Sequence, residues 1–118
     1  MGMLGGGLWL TGCQGTAKAI VEMDDDVRFD PASLTVKVGE TVTWRNTSTR
    51  MVHTATGDPT KVVDPTNVRL PAGAGPWDSG PIPGGESWSH AFDIPGEYRY
   101  CCVPHELAGM VATIVVEP

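Results

Sequence analysis

Short runs in which apolar and polar residues alternate recur along this 118-residue chain and constrain its fold more than any other feature. Between residues 33 and 38, for example, every second residue is apolar (Leu34, Val36 and Val38). A period of two is typical of a half-buried β-strand, because successive side chains of a strand point to opposite faces. The 15 glycines and 10 prolines supply turn signals between such runs. The pattern therefore favours an all-β domain over a helical bundle.

The runs predict seven or eight strands at a spacing of roughly 8–12 residues, which is expected of a β-sandwich. The predicted strands are residues 17–23, 33–38, 41–46, 51–56, 87–92, 97–102 and 110–116, with a short one within 76–79 in the Pro- and Gly-rich segment 57–86. A chain of this length forms one hydrophobic core. We expect residues 18–118 to form one domain and residues 1–17 to be an N-terminal signal, lipobox or disordered tail.

Four side chains with metal-binding chemistry stand out. Three lie in one C-terminal loop, as Cys102-x-x-His105-x-x-x-x-Met110, and the fourth, His53, lies in a strand-like run far upstream. Two imidazoles, a thiolate and a weak axial thioether form the ligand set of a blue-copper electron-transfer site. The sulfur ligands favour Cu(I) and the imidazoles also suit Cu(II). The sequence thus predicts one copper ion per chain, used as the Cu(I)/Cu(II) couple.

Strand alternation favours Cys102 over its neighbour Cys101 as the copper ligand. Tyr98, Tyr100 and Cys102 share one face of the predicted strand, whereas Arg99 and Cys101 share the other. The charged Arg99 favours solvent, so the face that carries Cys102 is expected to point inward.

Two longer stretches carry the pattern of a known protein family. Residues 29–46, followed by His53-Thr54, resemble the first half of a plastocyanin-type cupredoxin. The stronger resemblance lies in Pro83-Gly84-Gly85, Pro95-Gly96-Glu97-Tyr98-Arg99-Tyr100 and Cys102-x-Pro104-His105 with Gly109-Met110. The resemblance covers roughly residues 18–118. It implies a Greek-key β-sandwich, with His53, Cys102, His105 and Met110 as ligands of a type 1 copper that shuttles single electrons.

Two departures from the plastocyanin pattern lie beside the predicted ligands. Cys101 stands where plastocyanins usually carry an aromatic electron-entry residue, and Thr54 stands where they commonly carry Asn. Cys101 therefore argues against a plastocyanin-like second docking site, and one hydrogen bond beside the copper is expected to differ.

Two other function classes compete with an electron carrier. A periplasmic copper chaperone or store would need an accessible or Met-rich site, but the five methionines are scattered along the chain. A copper enzyme would need further histidines, and two of the three histidines are already assigned. The sequence favours a carrier that is not an enzyme.

The partners are expected to be redox proteins, such as cytochromes or a membrane oxidoreductase, that meet a monomer. The resemblance implies an apolar docking surface around the edge of His105, made of Met51, Val52, Pro104, Leu107 and Ala108. A formal net charge of -6 argues against nucleic acid as a partner. The acidic run Asp24–Asp26 is predicted to be a solvated loop.

Cys13 has a separate interpretation. Leu10-Thr11-Gly12-Cys13 resembles a bacterial lipobox, in which lipid on the cysteine would tether the domain to a membrane. The absence of Lys and Arg from residues 1–12 argues against this reading, and a disordered tail is the alternative. We expect a periplasmic or other extracytoplasmic location, with possible anchoring through Cys13.

Overall fold

The computed structural model describes residues 19–118, which form two β-sheets packed face to face. The strands are β1 (Ala19–Met23), β2 (Phe29–Asp30), β3 (Ser33–Lys37), β4 (Thr41–Asn46), β5 (Thr56–Gly57), β6 (Trp77–Asp78), β7 (Ser87–Ala91), β8 (Gly96–Cys101) and β9 (Val111–Glu117). The five-stranded sheet has the order β3–β9–β8–β5–β6, and the four-stranded sheet has the order β2–β1–β4–β7. Two short 3-10 helices, η1 (Pro65–Asn67) and η2 (Val103–Ala108), lie in the connections.

Both sheets are mixed, because strands distant in sequence lie side by side. The last strand, β9, runs parallel to β3 and antiparallel to β8, and β1 runs parallel to β4. The predicted all-β sandwich is confirmed. Residues 19–118 contain nine strands rather than seven or eight, because the two-residue strand β2 had no sequence signal of its own. No helix in this part of the chain is long and apolar enough to cross a membrane.

The predicted strand at residues 51–56 is largely wrong. Only its last residue, Thr56, lies in a strand, and His53 makes an isolated bridge with Ile82. The reason is that side chains, rather than a neighbouring strand, supply hydrogen bonds to the backbone at Met51. Asn46 Nδ2 and Ser48 Oγ both donate to the carbonyl of Met51, at 2.8 and 2.9 Å. A local polar network thus replaces the ladder and leads the chain into His53.

Aromatic side chains fill the space between the sheets. Trp44 is fully buried at the centre, with its ring 5.3 Å from that of Trp77 and 5.7 Å from that of Trp88. Its indole N–H donates to the hydroxyl of Tyr100 at 3.1 Å, which satisfies two polar groups inside the core. These tryptophans are packing residues of the core.

Two further aromatic residues, His90 and Tyr98, add to this packing. His90 is a partly buried residue on β7 whose ring stacks on Trp77 and Trp88, with interplanar angles of 11° and 8°. The Tyr98 hydroxyl donates to the carbonyl of Ile94 at 2.6 Å, which is the contact expected of a tyrosine corner.

The β8–β9 pairing determines where the predicted ligand loop lies. Cys102 follows the last residue of β8, Met110 precedes the first residue of β9, and Cys101 pairs directly with Val111. The backbone N–H of Cys102 donates to the carbonyl of Met110 at 3.0 Å. The two ends of the loop are therefore held together by the sheet itself.

Gly57 gives a direct test of the packing beneath this loop. A Cβ atom at Gly57 would lie 2.2 Å from Nε1 of the buried Trp77, closer than non-bonded atoms approach. Gly57→Ala should lower the free energy of unfolding by about 1–3 kcal/mol, because overpacking forces strain on a closely packed core. Urea unfolding measures the change. Gly75→Ala is the control, since its Cβ would meet nothing within 4 Å. Equal unfolding midpoints for the two variants would contradict the packing described here.

Candidate metal centre

Three of the four predicted ligand residues meet at one end of the sandwich. The donor atoms of His53, Cys102 and His105 all lie within 4.8 Å of one another. The Cys102 sulfur is 3.6 Å from Nδ1 of His53, and the two imidazole rings are 5.0 Å apart between centroids. Met110 is 1% exposed at the end of the same loop, and its N–H donates to the carbonyl of His105 at 3.4 Å.

The ring of His53 is oriented by a backbone carbonyl. Its Nε2 lies 3.1 Å from the carbonyl oxygen of Asp24. A carbonyl can only accept, so Nε2 carries the proton and Nδ1, which faces Cys102, keeps its lone pair. Burial lowers the pKa of His53, which also favours the neutral ring that a metal requires.

The sequence carried no signal for the contact between Asp24 and His53, because a backbone carbonyl has no residue signature. Residues 24–26 are a turn, as expected, but the Asp24 side chain also stabilises that turn. Its carboxylate accepts hydrogen bonds from Asp26 N at 3.0 Å and Arg28 Nε at 2.8 Å. The acidic run thus holds the carbonyl that orients the first histidine.

The Cys102 sulfur is enclosed and accepts a backbone hydrogen bond. The N–H of Thr54 points to Sγ at 3.3 Å. The Thr54 hydroxyl accepts from Val103 N at 2.9 Å and contacts the hydroxyl of Thr56, which donates to Asp78. At Thr54, where the sequence predicts different hydrogen bonding, this hydroxyl makes the contact. It joins the backbone next to His53 to the ligand loop.

Cys101 does not belong to the donor group, in agreement with strand alternation. Arg99 is exposed and Tyr98 and Tyr100 are buried, as expected, but Cys101 is also fully buried. Burial and then the nearby charge of Glu106 raise the pKa of the Cys101 thiol to about 12. Alternation therefore placed this thiol on the strand face opposite Cys102 but did not indicate that it is buried.

His105 is the more accessible of the two histidines. It lies in η2 and is partly exposed, while His53 is fully buried. The backbone N–H of His105 donates to the carbonyl of Cys102 at 3.2 Å. Gly109, at φ 83°, then turns the chain back toward Met110. A positive φ of this kind favours glycine.

The donor set fits a copper ion. The three ligand atoms lie within 4.8 Å of one another, close enough to converge on one metal ion. Burial raises the pKa of Cys102, so a cation is needed to hold its sulfur as thiolate. Soft sulfur together with imidazole suits copper and suits neither calcium nor magnesium.

Comparisons with known proteins agree with the site. Residues 16–117 match the family of copper binding proteins described as plastocyanin/azurin. The chain belongs to this family. Plastocyanin of Scenedesmus fuscus is 40% identical over 96 residues, covering 75% of this chain and 86% of that protein. Chloroplastic plastocyanin of Tetradesmus obliquus is 37% identical over 92 residues, and this chain spans only 58% of its length.

Solved structures show the same cupredoxin fold. Oxidised plastocyanin of Dryopteris crassirhizoma has a TM-score of 0.63 at 26% identity, covering 84% of this chain and all of that one. A copper-containing nitrite reductase of Thermus scotoductus gives a TM-score of 0.68 at 25% identity, but the match covers 89% of this chain and only 23% of the reductase. Plastocyanin-like cupredoxins carry a type 1 copper and transfer electrons to redox partners. The chain is thus a member of a copper-binding family with the cupredoxin fold.

Proposed function

We propose that His53, Cys102, His105 and Met110 hold one copper ion and that this cupredoxin carries single electrons between redox proteins. The observation that carries the assignment is the convergence of three donor atoms within 4.8 Å, one of them from a segment 49 residues upstream. Copper supplies the one-electron couple, Cu(I) and Cu(II), and the four side chains supply a donor set that suits both states.

The chain's own contribution is to keep these side chains in place. The Asp24 carbonyl orients His53, the Thr54 N–H contacts the Cys102 sulfur, and the sheet holds both ends of the loop. Partners outside the ligand set fix ligand orientation in metalloproteins. A site that is already arranged needs little movement when an electron arrives or leaves.

The docking surface is proposed to surround the accessible edge of His105. Leu107 is 89% exposed, and Val52, Pro104 and Ala108 are exposed as well, whereas Met51 is half-buried. Two apolar side chains that the sequence did not indicate, Val63 and Val103, are also exposed, Val63 by 74%. An exposed apolar patch of this kind favours brief contacts with redox proteins such as cytochromes or a membrane oxidoreductase.

A copper chaperone or store is less well supported than a carrier. Three of the proposed ligands, His53, Cys102 and Met110, are fully or almost fully buried, which disfavours direct handover of the ion. An enzyme is also less well supported, because a copper enzyme would need further histidines and two of the three in this sequence are assigned to the proposed site. We therefore propose a carrier that is not an enzyme and that acts as a monomer.

We further propose an extracytoplasmic location, in the periplasm where the cell has one, with lipid on Cys13 as the anchor. The lipobox-like sequence supports the anchor, and residues 1–17 would be separate from the domain that begins at residue 18. Cys13 lies outside the residues that the structure describes.

Replacing the proposed thiolate ligand tests the metal site. Cys102→Ser should abolish the intense visible absorption of the oxidised copper protein, because that absorption arises from charge transfer between thiolate and copper. Cys101→Ser is the matched control and should keep the colour, since its sulfur is not among the converging donors. Visible spectra of both variants after copper loading and oxidation decide the matter. Colour that survives in Cys102→Ser would overturn the assignment.

A charge placed on the proposed docking surface tests its role. Leu107→Glu should slow electron transfer to a redox partner by about tenfold, since a charge in a desolvated contact costs on the order of 1–3 kcal/mol. The visible spectrum should stay unchanged. Val38→Glu adds the same charge in the turn that follows β3, at the other end of the sandwich, and should not slow transfer. Stopped-flow kinetics measure the rates. Equal rates for both variants would place docking elsewhere.

Fractionation of cells tests the proposed anchor. Wild type should sediment with membranes, and Cys13→Ser should appear in the soluble extracytoplasmic fraction, because the acyl chains supply the membrane affinity. Wild type found wholly in the soluble fraction, or Cys13→Ser still bound to membranes, would exclude lipid on Cys13.

A further inference from the structure

One buried side chain lies between Cys102 and Met110 in the ligand loop, and it is a carboxylate. Glu106 is 6% exposed and immediately follows His105. His105 itself is partly exposed, and the remaining residues of the loop are exposed: Val103, Pro104, Leu107, Ala108 and Gly109. The interior of the loop is thus fixed to the protein body through Glu106 rather than through an apolar residue.

The Glu106 carboxylate accepts three hydrogen bonds from one neighbouring segment. Oε1 accepts from Val63 N at 2.7 Å, and Oε2 accepts from Asp64 N at 2.8 Å and from Asn67 Nδ2 at 2.9 Å. The Glu106 carbonyl accepts from Gly109 N at 2.9 Å. Both the side chain and the backbone of this residue are therefore engaged.

Hydrogen bonds, not an ion pair, compensate the buried charge. None of the salt bridges within residues 19–118 involves Glu106. Burial alone would raise the pKa of Glu106, but the hydrogen bonds from Val63, Asp64 and Asn67 outweigh it and hold the pKa below its ordinary value. Removing the carboxylate would leave two backbone donors without their partner.

The segment that supplies these donors is itself braced against the sheet. Lys61 pairs with Asp78 on β6 at 3.1 Å, and Arg69 exchanges two backbone hydrogen bonds with Arg99 on β8. Asp64 caps η1 through Thr66 N at 3.0 Å. Glu106 therefore connects the exposed part of the ligand loop to a segment fixed at both ends.

We propose that Glu106 is a positioning residue for electron transfer, which holds the segment of His105 still when the oxidation state of the site changes. The inference rests on the proposed function of the site. A carboxylate is required because all three partners are donors, whereas the amide nitrogen of a glutamine would face one of them. Glu106 touches none of the atoms proposed to bind copper, so its effect on the site passes through His105 and the loop backbone.

Glu106→Gln tests the proposal, with Glu117→Gln as the matched control. Glu117 is exposed at the far end of β9, so its substitution makes the same change in charge away from the site. Electron self-exchange of the copper-loaded protein should slow about tenfold in Glu106→Gln, as for other partners outside a ligand set. Its visible absorption band should shift, and the Val63 and Asp64 amides should exchange hydrogen faster, also without metal. The control should match wild type in all three measurements.

Two results would overturn the proposal. Wild-type self-exchange and absorption in Glu106→Gln, alongside faster amide exchange, would mean that Glu106 only holds the segment at residues 63–67. Unchanged amide exchange would mean that the hydrogen bonds are not formed in solution. A wild type with no thiolate-to-copper absorption would instead refute the proposed function, which separates the two failures.

Asn67→Ala keeps the test decisive if Glu106→Gln does not fold. It removes one of the three donors and leaves both backbone contacts. Self-exchange should slow by a smaller factor, with a shift of the absorption band in the same direction. Wild-type values for both would overturn the proposal.

Discussion

The antiparallel pairing of β8 with β9 is the constraint on which the rest of the site depends. It places Cys101 opposite Val111, so the residues just outside this pair, Cys102 and Met110, form the two ends of a short closed loop. The same ladder buries Tyr100 against Trp44, so core packing and loop closure are parts of one structure. A change that loosened this pairing would disturb the core and the metal centre together.

The second constraint is the pairing of buried polar groups around the metal centre. His53 has the Asp24 carbonyl, the Thr54 hydroxyl accepts from Val103 N, and Glu106 has three donors from the segment at residues 63–67. Unpaired polar groups in such places cost about 1–3 kcal/mol each. These contacts come from turns and loops on different sides of the site. Under the proposed function, they would hold the ligand side chains in place before copper binds.

The sequence predicted the sandwich, and it singled out four metal-binding side chains of which three converge in the structure, because both features leave signals in residue type and spacing. Alternation located β4 and β8, and the rare grouping of thiol, imidazole and thioether located the ligand loop. The contacts around the donors were not predictable. The Asp24 carbonyl is a backbone group, so no residue type in the sequence marks it. Glu106 cannot be told from other loop acids by sequence, because its partners Val63 and Asp64 donate through their backbone. The irregular path of residues 51–55 depends on side-chain bonds to backbone, which periodicity does not report.

The central claim is that His53, Cys102, His105 and Met110 form one type 1 copper site. Electron paramagnetic resonance of the oxidised protein, with one equivalent of copper and 15N-labelled histidine, tests it most directly. The account predicts a narrow copper hyperfine splitting, from covalency with the Cys102 sulfur, and coupling to two imidazole nitrogens. A wide splitting of the tetragonal kind, or coupling to a third imidazole, which could only be His90, would contradict it.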